Sequence, residues 1–149
     1  MTIADREAPA TGAPAYRVVL RGVPVDHFLQ LHDHLDALID ELSGEAGDRH
    51  PQLAALVAGL TGPYAAGRRS TLTAAEQARA QGSATFTLEL DVPLHAPEAV
   101  PVWNRLLDGA DCAGSRGLLR THPAPPDVVD LRRWIGSEVA RAAPADTPN

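Results

Sequence analysis

Polar and apolar residues alternate most regularly over residues 84–92, where Phe86, Leu88, Leu90 and Val92 interleave with Thr85, Thr87, Glu89 and Asp91. A period of two gives a strand one dry and one wet face. Residues 16–22 repeat the theme, with Tyr16, Val18 and Leu20 on one side and Arg17, Val19 and Arg21 on the other. A short apolar run at 118–121 is a third strand candidate. One-sided strands need helices over a single face, so the pattern predicts an α+β two-layer sandwich: a small mixed sheet of about three strands covered on one face by helices. The linking segments contain helices long enough for crossovers, so some parallel pairing is expected.

Between the strands the period changes. Val25, Phe28, Leu31, Leu35, Leu38, Ile39 and Leu42 recur at three-four spacing until Ser43 and Gly44, which predicts a helix of about 17 residues. Pro51 suits a first helical position and opens a shorter helix, with Leu53, Leu56, Val57 and Leu60 inward, that Gly62-Pro63 ends. A loop follows through Arg69, with Tyr64 its bulky residue. Thr73-Ala74-Ala75-Glu76 then matches a capping box, predicting an alanine-rich helix from there to Gln81 that Gly82 closes. Pro97 starts another helix, with Val100, Trp103, Leu106, Leu107 and Ala110 inward, which Gly114 and Gly117 break. After the stiff Pro123-Ala124-Pro125-Pro126 turn, Val128, Leu131, Ile135, Val139 and Ala142 mark a last helix with Trp134 at the edge of its apolar stripe. Aperiodic, Pro- and Ala-rich residues 1–15 read as a flexible arm and 144–149 as a flexible tail around a single domain, 16–143.

Composition narrows the function. A chain of 149 residues is the size of one domain with a true core. Its net charge of −6 argues against a general nucleic-acid binder. No apolar run approaches the roughly 18 residues of a membrane span, and Met1–Glu7 lacks the order of a secretory signal. The expected setting is cytoplasmic, away from the membrane. The single Cys112 provides neither an internal disulfide nor paired zinc ligands.

No G-x-S-x-G, phosphate loop or dinucleotide fingerprint occurs. Among the six histidines, His27 and His34 flank one edge of the first helix's apolar stripe and His32 the other, so they do not converge. His32 with Asp36 makes an i, i+4 pair of only two ligands, and neither a metal nor a cofactor is predicted. Asp26, Asp33 and Asp40 line up on that helix away from the stripe, as a solvated surface or a docking face for a basic partner. Arg132, Arg133 and Trp134 offer a second docking patch. Cys112 reads as a helix-end thiol packed against the sheet, and His122, between a strand candidate and the proline turn, stands where a pocket mouth could form. A ligand pocket near Cys112, His122 and Trp134 is therefore the alternative to a docking protein, and would suit a sensor or an enzyme. A homodimer mated through a helix face or a free sheet edge is a third possibility.

The run LLDGADCAGSRGLLRTHPAPPDVVDLRRW from Leu106 to Trp134 resembles the C-terminal signature of a family of small proteins from high-GC bacteria, and Tyr16-Arg17-Val18-Val19-Leu20-Arg21-Gly22-Val23-Pro24 is similar to that family's opening. Its pattern is a leucine-leucine-aspartate helix, a Cys near the helix end, a glycine before a leucine-rich strand, then a proline turn and an Arg-Trp helix. Such proteins resemble companions of ATP-binding anti-sigma-type kinases and PP2C-type phosphatases. The resemblance implies a non-catalytic protein-interaction module in bacterial partner-switching signalling, regulating transcription indirectly, with a kinase or phosphatase of those types as partner.

Overall fold

The computed structural model describes residues 15–61 and 65–144. Their order is β1 (Ala15–Pro24), α1 (Val25–Leu42), α2 (Glu45–Arg49), α3 (Pro51–Thr61), α4 (Ala65–Ala80), β2 (Thr85–Pro93), α5 (Ala96–Ser115) and α6 (Pro126–Ala142). The protein is mixed α+β. The expected arm up to residue 14, the tail from residue 145, Gly62, Pro63 and Tyr64, and the side chain of Leu60 lie outside the described residues. Ala15, assigned to the arm, instead begins β1, opposite Pro93.

The alternation in both strands is realised as burial. Tyr16 faces Val92, Val18 faces Leu90 and Leu20 faces Leu88 across the ribbon, and Val18, Leu20, Leu88 and Val92 are buried while Arg17, Val19, Thr87, Glu89 and Asp91 are exposed. On the wet face Arg17 reaches across to Asp91 at 3.0 Å and Glu89 at 3.1 Å. The register slips between Leu20 and Val23. Arg21 and Gly22 together oppose Thr87, and this bulge brings Val23 onto the dry face, where it is fully buried. Gly22 sits at φ 75° with open space around it. Gly22→Ala therefore meets no clash and costs only backbone strain, expected as a loss of about 1–2 kcal/mol in urea unfolding.

The expectation of about three strands in a mixed sheet is corrected: among the described residues the sheet has two strands, and they are antiparallel. Residues 118–121 pair with no strand, and a helix side chain takes the donors of Arg120 and Thr121. The Glu41 carboxylate of α1 accepts the N–H of Arg120 at 2.7 Å, the N–H of Thr121 at 2.8 Å and the Thr121 hydroxyl at 2.7 Å. The turn before them also bends the chain, since Gly117 at φ 75° lets Leu118 N–H close onto Ala113 O and Gly117 N–H onto Gly114 O at the end of α5. With so narrow a ribbon, much of the core is helix on helix: α1 packs on α3, α4 and α6, and α5 on α3 and α6.

The capping box is corrected too. Thr73 lies in the middle of α4, which begins at Ala65, and its hydroxyl donates back to Arg69 O at 3.0 Å. There is no cap at Thr73 to lose. The inward face of α4 is Thr71, Ala75 and Ala78, small side chains whose burial against α1 and β2 outweighs weak local signals. The stripe of α1 is buried as its spacing predicts, and Pro24 at φ −64° leads into it while Val25 N–H ties to Ala84 O at 3.0 Å.

Candidate functional site

The small inner face of α4 leaves space where α1, α4, α6 and β2 meet. A cavity of about 440 Å³ lies there, walled by Phe28 and Leu31 of α1, Leu88, Leu90 and Val92 of β2, and Ile135 of α6. That volume is within the range of small-molecule sites. A second cavity of about 210 Å³, almost wholly apolar, adjoins it; Leu31, Arg68, Leu90, Val92 and Ile135 border both, and Trp103 and Leu107 of α5 line its far side.

The wall is not apolar throughout: Ser70, Thr71, Glu89 and Asp91 also border the cavity, as do two basic side chains, His32 and Arg68. His32 is 6% exposed, stacked at a tilt on Phe28 with ring centroids 4.5 Å apart. Burial, followed by the nearby Arg68 charge, lowers its pKa to about 4 against a smaller upward pull from Asp36. His32 is therefore neutral at physiological pH. Arg68 donates from Nη2 to Asp36 Oδ1 at 2.7 Å, yet its Nε and the Nδ1 of His32 are buried without a hydrogen-bond partner. Buried polar atoms are rarely left so, because the lost hydration costs about 1–3 kcal/mol per group.

From sequence His32 stands out only as half of a two-ligand i, i+4 pair with Asp36, and Arg68 does not stand out. The edge position of His32 on the apolar stripe of α1 does not reveal that it is buried beside Phe28. Arg68 fell in a supposed loop; only once α4 is known to start at Ala65 do Arg68, Thr71, Ala75 and Ala78 share one helical face.

The residues that sequence did single out are dispersed. Asp26, Asp33 and Asp40 are exposed on α1; Asp26 approaches Arg79 at 3.4 Å, while Asp33 and Asp40 border an open groove with His34 and His122. Arg132 is buried: its Nη1 donates to Asn104 O and Oδ1 at 3.2 and 3.1 Å and its Nη2 to Asp108 Oδ1 at 3.0 Å, with Asp111 at 3.6 Å. It clamps α5 to α6. Arg133 shares Asp108 at 3.0 Å from outside, and Trp134 is 37% exposed beside it. Cys112 is exposed instead of packed against the sheet. His122 is exposed as well, and the groove it borders includes neither Cys112 nor Trp134. What His122 contributes is its carbonyl, which lies 3.1 Å from His34 Nε2.

His34 is held below its ordinary pKa chiefly by burial, with Arg132 adding to the effect and Asp111 and the His122 carbonyl opposing it. Its 3.5 Å approach to Asp111 is thus not an ion pair at neutral pH. Asp111 also accepts the Ala124 N–H at 3.0 Å, fixing the proline turn. These groups lock the fold. Among the described residues no three His, Cys, Asp or Glu side chains gather in a way that could hold a metal ion, and no helix is long and apolar enough to cross a membrane. No protein-family model, characterised protein or solved structure matches the chain.

Proposed function

We propose that this protein is a non-catalytic ligand-binding module that takes a small, largely apolar molecule into the cavity between β2 and helices α1, α4 and α6. The observation that carries this reading is the cavity itself, with Phe28, Leu31, Leu88, Leu90, Val92 and Ile135 making most of its wall. A ligand that prefers the folded state, present at a hundred times its Kd, adds about 2.7 kcal/mol. In a chain of this size each kcal/mol raises Tm by roughly 2–4 °C. Screening small amphiphiles by thermal unfolding is expected to find shifts of that order, and Ile135→Trp, which fills the space, is expected to erase them. A screen in which no amphiphile moves Tm would refute the reading.

A second reading is favoured by Trp134, large, apolar and exposed beside Arg133. It is the regulatory module of a partner-switching pathway that the resemblance implies, with an anti-sigma-type kinase or PP2C-type phosphatase as partner. The two are compatible, since an occupied cavity can bias which partner is held. Trp134→Ala is expected to abolish co-purification of such a kinase or phosphatase from the source cells without changing Tm; unchanged recovery would exclude this face.

A further inference from the structure

The smaller cavity restricts its occupant more narrowly than the larger one. At about 210 Å³ it is walled mainly by apolar side chains, among them Leu35 of α1, Val92 of β2, Val100, Trp103 and Leu107 of α5 and Val139 of α6. Its space comes from small residues, since Ala96 and Ala99 of α5 and Gly136 of α6 stand at its border. The two helices are not free to close over it. A Cβ at Gly136 would stand 2.8 Å from Val100 Cγ1 and 3.1 Å from Asn104 Nδ2, so α5 and α6 already meet at contact distance there.

The polar side chains on that border are committed elsewhere. Arg132 donates to Asn104 and Asp108 and lies 3.6 Å from Asp111, and Asn104 Oδ1 accepts one of those bonds. Arg68 is paired with Asp36 at 2.7 Å, and its unpartnered Nε is shut off from the open space. An ionised ligand would therefore give up its hydration without meeting a counter-charge, a cost that apolar contact does not return. An uncharged hydrocarbon gives up nothing polar.

Resting on the reading of this region as a ligand site, we infer that the smaller cavity holds an uncharged, hydrocarbon-like molecule or group, packed against Trp103 and Leu107, and that it rejects organic acids and amines alike. The size follows by proportion. A dry cavity of about 150 Å³ lined by Leu, Ile and Phe accommodates benzene, so the space here suits on the order of eight non-hydrogen atoms. A longer ligand with an uncharged polar end leaves that end in the adjoining larger cavity, which Ser70 and Thr71 border.

Calorimetric titration of the full chain with ethylbenzene, phenethylamine and phenylacetate tests this, because the three are alike in their ring and differ chiefly in charge. Ethylbenzene is expected to bind about tenfold or more tightly than either ion. Ala99 borders the smaller cavity and not the larger. Ala99→Phe, which puts a ring into that space, should weaken ethylbenzene about tenfold or more. Should Ala99→Phe fail to fold, Ala99→Leu serves in its place and should weaken ethylbenzene several-fold. An ion that binds within a few-fold of ethylbenzene, or an ethylbenzene affinity indifferent to the substitution, would overturn the inference and leave the reading of the larger cavity standing. If ethylbenzene fails to bind while small amphiphiles still raise Tm, the inference alone falls. If neither ethylbenzene nor any amphiphile binds, both fall.

Discussion

Leu88→Asp is expected to abolish folding, whereas Thr87→Asp, one position away, should cost about 1 kcal/mol or less. Leu88 is 1% exposed on β2, directly opposite Leu20 and within the main hydrophobic cluster. Removing its side chain would by itself cost about 2–5 kcal/mol. A carboxylate put in its place is desolvated within that cluster, which adds several kcal/mol more unless it protonates. The total approaches the whole stability of an ordinary domain, about 5–15 kcal/mol. Thr87 points to water from the other side of the same pleat. Circular dichroism and urea titration of the two variants check the pair, and similar damage from both would show the faces to be misassigned.

Arg132→Met should cost about 3–5 kcal/mol, the usual penalty for removing one partner of a buried ionic network. The Arg132 side chain is 8% exposed, and its loss leaves Asp111, whose side chain is 17% exposed, with the Ala124 N–H on Oδ1 but no cation near Oδ2, while Asp108 retains Arg133. Arg132→Met combined with Asp111→Asn is therefore expected to recover part of the loss. An arginine placed for a partner would behave otherwise, with stability unchanged and only binding lost.

The network also predicts a pH dependence. Burial pushes the Asp108 carboxyl up, but hydrogen bonds from Arg132 and Arg133, and then their charges, more than offset this and hold it below its ordinary value. Glu41 behaves alike: burial raises it, and donors from Arg120 and Thr121 outweigh that. Groups with depressed folded pKa values bind fewer protons folded than unfolded, so their contribution is complete at neutral pH, above the ordinary carboxylate range, and is lost as pH falls through the depressed values. Urea midpoints should fall on acidification, and less steeply in Arg132→Met, which no longer has that share to lose.

Both large effects arise where the chain speaks with different clarity. Leu88 was legible because a strand with one wet face writes its burial as strict alternation, and the stripe of α1 likewise appears as helical spacing from Val25 to Leu42. The role of Arg132 was not legible. Beside Arg133 and Trp134 it looked like part of a surface patch, and only the approach of α5 to α6 shows that Asn104, Asp108 and Asp111 surround it.

Local periodicity thus settled which segments are amphipathic and which side of each is dry, because hydrophobic burial acts on every turn or pleat separately. Distant pairing settled the rest. Glu41 satisfies the backbone of Arg120 and Thr121 across 79 and 80 positions of chain, in the segment 118–121 that suggested a strand. Thr71, Ala75 and Ala78 form a helix face whose stability comes from α1 and β2, not from its own composition. The cavity exists because that face is too small to fill the space beside Ile135, and His32 and Arg68 meet there from helices far apart in sequence; no spacing within either segment encodes their meeting.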